Sequence, residues 1–265
     1  MIIKPRSWEN LSPNFSELPL PHLNRKGIQM IRLIQIIHPK EGRRIAKIED
    51  NQCFLIKKYT SIHGLANSVL QSNQVLSSEI KTSLSRDFLD YNTLYNGDSD
   101  WTLLPAFDHP EDPAHCIVTG TGLTHKSSVE NRNAMHDKGS VSPVTDSMRI
   151  YQWGLEGGKP DPDIVGTQPE WFYKGNGKIL KAHGQPLGIP PYADDGGEEP
   201  EIVGAYIIDP HGHPRRIGFT IGNEFSDHIM EKKNYLYLAP SKLRDCAIGP
   251  ELVINSSFQD ITGNV

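Results

Sequence analysis

The sequence has no uninterrupted apolar run of about 18 residues, the length that a membrane-spanning helix requires. It also does not open with a cationic segment followed by an apolar core, which is the pattern of a secretory signal peptide. These two absences predict a cytoplasmic protein without a membrane partner.

Positive charge is scarce as well. The 27 lysines and arginines are outnumbered by 32 aspartates and glutamates, which gives a net charge of −5. Sequences that bind nucleic acids or anionic lipids usually carry a basic stripe or an aromatic–basic module, and this sequence has neither. We therefore expect no nucleic-acid partner.

Cysteine is rare. The three cysteines, Cys53, Cys116 and Cys246, are odd in number and widely spaced. This spacing matches neither a disulfide framework nor a zinc-binding pattern.

Glycine and proline, in contrast, are abundant, with 23 and 20 of the 265 residues. Such a composition favours many turns and a β-rich fold over a helical bundle. Predicted helices and strands do not alternate as they would in a doubly wound sheet. The sequence therefore predicts an α+β, β-rich fold with a mixed or antiparallel sheet.

Three segments can be separated along the chain. Residues 1–29 are rich in proline, asparagine and serine and are predicted to form a leader or a packing arm. Residues 30–98 are predicted to form a small N-terminal α+β domain. It would hold two or three strands, followed by one or two helices between residue 60 and about residue 89. Residues 99–265 form the second predicted domain.

The second domain combines one predicted helix with several short strands. Ser142 and Pro143 are typical residues for the start of a helix, and Met148, Tyr151 and Leu155 would then share one apolar face. The strands are predicted in "EWFYKG", "EIVGAYII", "RRIGFTIG" and "GPELVI".

Carboxylates gather around a predicted hairpin. The turn residues "DPHGHP" separate "EIVGAYII" from "RRIGFTIG", so these two strands should pair. Glu199 and Glu201 are two residues apart and would share one face of an extended segment. A turn centred on Gly212 would place Glu224 opposite Glu201. The three carboxylates are therefore expected to converge at one end of the hairpin.

Converging carboxylates require a compensating cation when they are buried. From the residues alone, that cation is either a lysine or a divalent metal, and a solvated acidic rim is the ordinary alternative. An all-oxygen site would suit Mg²⁺, with Mn²⁺ or Ca²⁺ as alternatives.

Five other residues could carry proton chemistry or bind a substrate. Glu170 and Lys174 are four residues apart and would share one face of an extended strand. Lys242 lies in a mostly apolar segment, where the pKa of a lysine tends to fall. Thr124 and His125 lie on a glycine-containing loop that could present backbone amides and a histidine to an anion. The ordinary alternatives are surface lysines and a capped structural loop.

Four motifs occur in a consistent order within residues 114–254: "PEWFYKG", "EEPEIVGAYII", "IGNEFSDH" and "LAPSKLRDCAIGPELV". Together with the loop "TGTGLTHKSSVENRNAMH", they resemble the fumarylacetoacetate hydrolase superfamily. The similarity is closest to its branch of 2-keto-3-deoxy sugar acid (arabinonate-type) dehydratases. The resemblance implies a fumarylacetoacetase-like mixed β-roll catalytic domain in residues 99–265. This domain is expected to be short at its C-terminus, because relatives continue through further strands.

The resemblance also implies roles for individual residues. Most members of the superfamily have aspartate as the third metal ligand, where this chain has Glu224; the longer side chain should still reach an ion. The implied roles are metal binding by Glu199, Glu201 and Glu224, proton transfer by Glu170 and Lys242, and substrate binding by Lys174, His125 and Thr124.

The activity implied by the resemblance is that of a Mg²⁺-dependent lyase, a hydro-lyase. It would dehydrate a small pentonate-like 2-keto acid through a metal-stabilised enolate, as a homodimer or homotetramer. One alternative is hydrolysis of a carbon–carbon bond in an acylpyruvate-like acid, with His125 as the base that activates water. Decarboxylation or isomerisation through the same enolate is another. The last is a catalytically inactive paralogue that binds a keto acid.

Overall fold

The computed structural model of the chain describes residues 30–121, 146–158, 160–168 and 170–254, apart from the side chains of residues 146, 147 and 235. These residues divide into two compact units. The large unit contains residues 30–117 and 175–254, and the small unit contains the described residues from 118 to 174. The domain boundaries expected after residues 29 and 98 stay predictions.

The described strands, numbered in chain order, are β1 (Ile31–His38), β2 (Gly42–Glu49), β3 (Gln52–Ile56), β4 (Leu84–Asp90), β5 (Thr102–Leu103), β6 (Ile117–Thr121), β7 (Trp171–Asn176), β8 (Leu180–Lys181), β9 (Pro200–Ile208), β10 (Pro214–Asn223), β11 (Cys246–Ile248) and β12 (Leu252–Ile254). Ten of them form one sheet in the order β4-β3-β2-β1-β12-β10-β11-β8, with β5 paired to β1 and β9 paired to β10. The β8–β11 pair is parallel and the other pairs of this sheet are antiparallel. The sheet is therefore mixed, as predicted. β6 and β7 form a separate two-stranded sheet.

The described α-helices are α1 (Ile62–Ser72), α2 (Leu76–Ser83), α3 (Tyr91–Tyr95), α4 (Asp146–Gly157), α5 (His228–Lys233) and α6 (Leu238–Lys242). Short 3₁₀ turns occupy Pro113–His115, Gly177–Ile179 and Tyr235–Tyr237. Among the described helices, none is long and apolar enough to cross a membrane.

β1 lies inside the large sheet and packs on both of its faces. Leu33 belongs to a hydrophobic cluster that includes Leu65 of α1, whereas Ile36 belongs to a second cluster that includes Trp101. Each fully buried aliphatic side chain of this kind contributes about 1.5–3 kcal/mol to stability. The run "IRLIQII" therefore lacks the polar alternation of a strand with one solvated face.

The region from residue 60 to about residue 89 is helical only in part. α1 begins after Ser61, whose side chain accepts a hydrogen bond from the amide of Gly64 at 3.0 Å. α2 follows, so two helices are present where one or two were predicted, but the chain from Leu84 onwards forms β4. Leu84 lies opposite Ile56, so the backbone of β4 pairs with β3. The prediction of helix as far as residue 89 is wrong. The position of Leu84 fits a helical period, but its pairing with β3 is a non-local contact that a local pattern does not show.

The helix predicted in the second domain is present as α4. Its expected first residues, Ser142 and Pro143, lie outside the described residues. The segment after α4 returns to it through Thr167, whose amide donates to the carbonyl of Gly157 at 2.9 Å. Leu155 is 65% exposed, so the predicted apolar face is not buried at that position.

A charged cluster joins β1, α3 and the residue that precedes β12. Arg32 donates to both carboxylate oxygens of Glu251, at 2.6 and 2.7 Å, and the hydroxyl of Tyr91 donates to the same carboxylate. Burial raises the pKa of Glu251, but the hydrogen bonds from Arg32 and Tyr91 outweigh burial and lower it. Because the folded-state pKa is depressed, this stabilisation is present above the unfolded-state pKa and is lost as the pH falls through the folded-state pKa.

We expect Glu251→Gln to lower the free energy of unfolding by about 1–2 kcal/mol at pH 7. The loss should shrink as the pH falls through the lowered folded-state pKa of Glu251, because the wild-type carboxylate is then protonated as well. Urea unfolding at pH 7 and over a series of acidic pH values measures the difference. Glu49→Gln is the control, since this partner of Lys47 is 49% exposed and its loss should cost less than about 0.5 kcal/mol. A loss in Glu251→Gln that does not change with pH would contradict the assignment.

Candidate functional site

β9 and β10 form the predicted hairpin, but its turn is placed one position earlier than expected. Pro214 lies opposite Ile208, which centres the turn on His211 rather than on Gly212. The side chain of Asp209 accepts a hydrogen bond from the amide of His211 at 2.9 Å and holds the turn closed.

A bulge in β10, just after Arg216, then shifts the register by one residue in the opposite direction. Glu201 therefore lies opposite Gly222, and Glu224 lies opposite Glu199, to whose carbonyl its amide donates at 2.9 Å. The prediction that Glu224 faces Glu201 is wrong by two positions. The three glutamates still share one face of the hairpin, because opposed residues and residues two apart point to the same side.

The hairpin continues past the ends of its strands and fixes the backbone around Glu199 and Glu224. Gly197 and Ser226 pair through two backbone hydrogen bonds of 2.8 and 2.7 Å. The side-chain oxygen of Asn223 accepts from the amides of Glu199 and Phe225, at 3.1 and 3.0 Å. The two opposed glutamates therefore start from a well-defined backbone.

The ammonium of Lys242 lies among these carboxylates. Lys242 is the last residue of α6 and is 9% exposed. Of the two cations that the residues left open, the structure thus places a lysine at this position. The distances from Nζ are 2.7 and 2.8 Å to the oxygens of Glu199, 3.0 Å to the hydroxyl of Ser226, 3.3 Å to Glu231 and 3.5 Å to Glu224.

The surrounding carboxylates raise the pKa of Lys242, although the sequence predicted that this pKa would fall. Burial alone lowers the pKa of Lys242, but Glu199 and Glu224 outweigh burial and raise it. Burial likewise raises the pKa of Glu199, but Lys242 and then His228 lower it. The expected fall in the lysine pKa is wrong, because carboxylates lie within 3.5 Å of the ammonium. In this arrangement Lys242 is protonated and Glu199 is ionised at neutral pH.

Two further groups of this cluster were missed by the sequence analysis. His228 lies with Nε2 3.1 Å from Glu199, and Glu231 accepts a hydrogen bond from the hydroxyl of Ser241 at 3.0 Å. Both residues belong to α5 and are three positions apart, so they share one face of that helix. The spacing was visible in the sequence, but nothing local indicated which group that face would meet.

A buried ion pair lies directly beside the cluster. Asp227 and Arg244 are 3.3 Å apart, and their side chains are 0% and 1% exposed. The Asp227 carboxylate also accepts from the amides of Asp194, Asp195 and Met230, at 2.9, 3.0 and 2.9 Å. Burial raises the pKa of Asp227, but these hydrogen bonds outweigh it and lower the pKa. The pair therefore ties together the segment before β9, the start of α5 and the bend after α6.

The donors of the cluster suit a hard divalent ion, but their arrangement is closed around the lysine. Glu199 and Glu224 are opposed, whereas Glu201 lies one pair further along the hairpin. Within the described ranges, no three His, Cys, Asp or Glu side chains are grouped closely enough to hold a metal ion. This conformation therefore fits an ammonium group rather than a metal.

The remaining candidates belong to the small unit or lie outside the described residues. Lys174 of β7 is 1% exposed, and Glu170, just before this strand, is half-buried. Trp171, which alternates with them, is 58% exposed, so the four-residue spacing does place Glu170 and Lys174 on the less exposed side. The two loop candidates that lie outside the described residues are Thr124 and His125.

Two curated proteins are similar to the chain in sequence, although no family model matches it. The 2-dehydro-3-deoxy-D-arabinonate dehydratase of Saccharolobus solfataricus is 30% identical over 153 residues, which cover 57% of this chain and 45% of that protein. A probable 2-keto-3-deoxyxylonate dehydratase of Haloferax volcanii is 27% identical over 203 residues, 70% of this chain and 68% of that protein. The chain thus matches less than half the length of the first relative.

Solved structures decide the fold. A hexagonal crystal form of 2-keto-3-deoxyarabinonate dehydratase aligns with a TM-score of 0.55 at 20% identity, over 88% of this chain and 69% of that one. This chain has the fold of 2-keto-3-deoxyarabinonate dehydratase. The same dehydratase complexed with magnesium and 2,5-dioxopentanoate gives a TM-score of 0.52 at 20% identity, over 88% and 68% of the two chains.

The comparisons with this dehydratase bear on two predictions. They confirm the predicted α+β, β-rich fold, which the chain shares with this dehydratase. They also confirm the resemblance to arabinonate-type dehydratases, since the sequence relatives and the solved structures both carry dehydratase names.

Proposed function

We propose that this chain dehydrates a 2-keto-3-deoxy sugar acid, with a pentonate as the expected substrate. The observation that carries the proposal is the cluster at the end of the β9–β10 hairpin, where Lys242 is held between Glu199 and Glu224. It occurs in a fold shared with a dehydratase of such an acid. A protonated lysine beside several carboxylates is a typical set of groups for acid–base chemistry.

The reaction removes the C3 proton and the C4 hydroxyl of the acid as water, and tautomerisation then leaves an aldehyde at C5. For a pentonate this product is 2,5-dioxopentanoate, the compound present in the dehydratase complex with magnesium. One group must take the C3 proton and another must give a proton to the leaving hydroxyl. We assign these two roles to Glu170 and Lys242. We assign substrate binding to Lys174, Thr124 and His125.

The proposal includes a divalent ion, expected to be Mg²⁺, as in the dehydratase complex. Glu199, Glu201 and Glu224 would hold it, since carboxylate oxygens are the ligands that Mg²⁺ prefers. A bound ion supplies Lewis-acid polarisation of the 2-keto oxygen, which makes the neighbouring C3 protons more acidic. Because Glu199 and Glu224 lie within 3.5 Å of the Lys242 ammonium in the described conformation, ion binding requires a local rearrangement. The active form is proposed to be a homodimer or homotetramer.

Proton exchange on a simple keto acid tests this proposal. We expect the protein to exchange the methyl protons of pyruvate in D₂O when Mg²⁺ is present, followed as loss of the methyl signal by NMR. Chelation of the ion with EDTA should stop the exchange. 2-Keto-3-deoxypentonates would then be tested for release of the aldehyde product. A folded protein that neither exchanges pyruvate nor dehydrates these acids would contradict the proposal.

A keto-acid-binding protein without turnover is the second candidate. It is favoured by one observation, the closure of the carboxylates around Lys242, which leaves no three-donor metal group among the described residues. Calorimetry with pyruvate separates the two candidates. Binding of pyruvate without proton exchange would support the second candidate and contradict the first.

A further inference from the structure

Three histidine rings lie in series on the large unit. His63 belongs to the first turn of α1, whereas His109 and His115 belong to the chain between β5 and β6. The ring centroids are 4.4 Å apart for His63 and His109, and 5.3 Å apart for His109 and His115. This histidine stack connects residues 109–115 to α1 through a residue type that ordinarily titrates near neutral pH.

The surroundings of His63 favour its neutral form. The ring is half-buried, and burial, followed by repulsion from His109, lowers its pKa; Asp108 and Glu111 act in the opposite direction but are outweighed. The first turn of a helix also disfavours a positive charge, because the amide dipoles place partial positive charge there. Nδ2 of Asn67 lies 3.1 Å from Nε2 of His63, and since an NH₂ group only donates, this contact requires an unprotonated Nε2.

His109 is tied to the same protonation state by a backbone hydrogen bond. Its Nδ1 accepts from the amide of Asp112 at 3.0 Å, so this nitrogen cannot carry a proton without breaking the bond. The bond leads into the 3₁₀ turn Pro113–His115, which Asp112 caps by accepting from the amide of Ala114 at 2.9 Å. A proton on Nδ1 would turn an acceptor into a donor that faces another donor.

His115, at the outer end of the stack, differs from the other two. Its side chain is 70% exposed, and its Nδ1 lies 3.3 Å from the carboxylate of Asp112. A proton on His115 therefore strengthens the contact with Asp112. Because the rings of His115 and His109 are neighbours, the same proton disfavours a charge on His109 by repulsion.

The residue just before this segment is held independently of the histidines. Asp108 accepts from the two terminal nitrogens of Arg43, at 2.6 and 2.9 Å, and from Nε2 of Gln35 at 2.8 Å. Arginine stays charged at every pH that a histidine senses, so Asp108 remains attached to β1 and β2. Residues 109–115, in contrast, meet α1 through the stack of rings.

We propose that the histidine stack is a proton-sensitive contact: residues 109–115 lie against α1 while His63 and His109 are neutral, and separate from α1 when either takes up a proton. The separated state binds protons more readily than the closed state, so a falling pH favours separation. Separation is expected between about pH 5 and 7, the range around the ordinary pKa of histidine. This inference does not depend on the proposed activity.

Hydrogen exchange of the intact chain, followed by mass spectrometry, tests the inference. After correction for the intrinsic pH dependence of exchange, peptides covering residues 109–116 should be protected at least about fivefold less at about pH 5 than at about pH 8. The amides of Asp112, His115 and Cys116 report the change, because each donates to an acceptor within residues 109–115. Peptides from β2 and β3 should keep their protection over the same range.

Two substitutions and a control distinguish the stack from a general effect of acid. His63→Phe keeps a ring on α1 without a titrating group, and His109→Asn offers a side-chain oxygen to the amide of Asp112 in place of Nδ1. Each should reduce the pH effect at least about twofold, and the double variant should remove it. His183→Phe is the matched control, since the ring of His183 stacks on Tyr95 with the centroids 4.1 Å apart. Its pH response should equal that of the wild type.

The outcomes decide between a local contact and ordinary acid unfolding. Equal protection of residues 109–116 at both pH values in the wild type overturns the inference, and so does a double variant that responds to pH like the wild type. Protection that falls equally in β2 and β3 means that acid unfolds the large unit, which also overturns it. Should the double variant not fold, an undiminished pH response of His109→Asn overturns the inference.

Discussion

Glu201→Gln is expected to reduce Mg²⁺-dependent exchange of the pyruvate methyl protons by at least about 100-fold. Glu201 lies opposite Gly222 and on the same face of the hairpin as Glu199, where it would complete the ligands of an ion. The substitution keeps the size of the side chain but replaces a negative charge with a neutral amide. A ligand charge at a divalent ion contributes several kcal/mol to the stabilisation of developing charge. The initial rate of signal loss in D₂O measures the effect.

Glu198→Gln is the matched control for this substitution. Glu198 is exposed and lies three residues earlier in the same acidic run, so its replacement changes the net charge equally without altering the expected ligands. Its exchange rate should stay within about twofold of the wild type, as expected for an exposed charge. If Glu201→Gln exchanges pyruvate as fast as Glu198→Gln, Glu201 is not a ligand. Unfolding curves of both variants confirm that the comparison is made between folded proteins.

The hairpin shows which features of this fold can be predicted from the sequence alone and which cannot. The turn residues and the two apolar runs were sufficient to predict that β9 and β10 pair, since these signals are local. The register was not predictable in the same way. The turn, which the hydrogen bonds of Asp209 hold closed, is centred one position earlier than expected, and the bulge after Arg216 returns the register by one residue. Both shifts depend on backbone geometry that residue types do not encode one by one.

The cluster itself shows a second limit, which concerns contacts between distant segments. The need for a cation among the glutamates followed from electrostatics and was predictable. The identity of that cation was not, because Lys242 meets Glu199 across 43 positions of the sequence. For the same reason the apolar sequence around Lys242 gave the wrong direction for its pKa, and Glu231 was missed. Local patterns predicted the hairpin that brings the glutamates together, but not which distant residues they meet.

Arg244→Met is expected to lower the free energy of unfolding by about 3–5 kcal/mol, the usual cost of breaking a buried ion pair from one side. It leaves the carboxylate of Asp227, which is 0% exposed, without its cation. It also removes the hydrogen bonds that Arg244 donates to the carbonyls of Asp195 and Ser226, at 3.0 and 3.1 Å. Urea unfolding at pH 7 measures the loss. Since total stabilities are commonly about 5–15 kcal/mol, the variant should unfold at a much lower urea concentration.

Three further variants, Lys233→Met, Asp227→Asn and the double variant of Asp227 and Arg244, make this measurement specific to the buried pair. Lys233→Met breaks the exposed ion pair with Asp194 and should cost less than about 0.5 kcal/mol. The double substitution Asp227→Asn with Arg244→Met removes both charges, so it should be less destabilised than the sum of the two single variants. Additive losses, or a loss of less than about 1 kcal/mol in Arg244→Met, would mean that the pair does not act as a coupled unit. Since the carbonyl of Ser226 accepts from Arg244 and its hydroxyl accepts from Lys242, a coupled pair also positions the ammonium of Lys242.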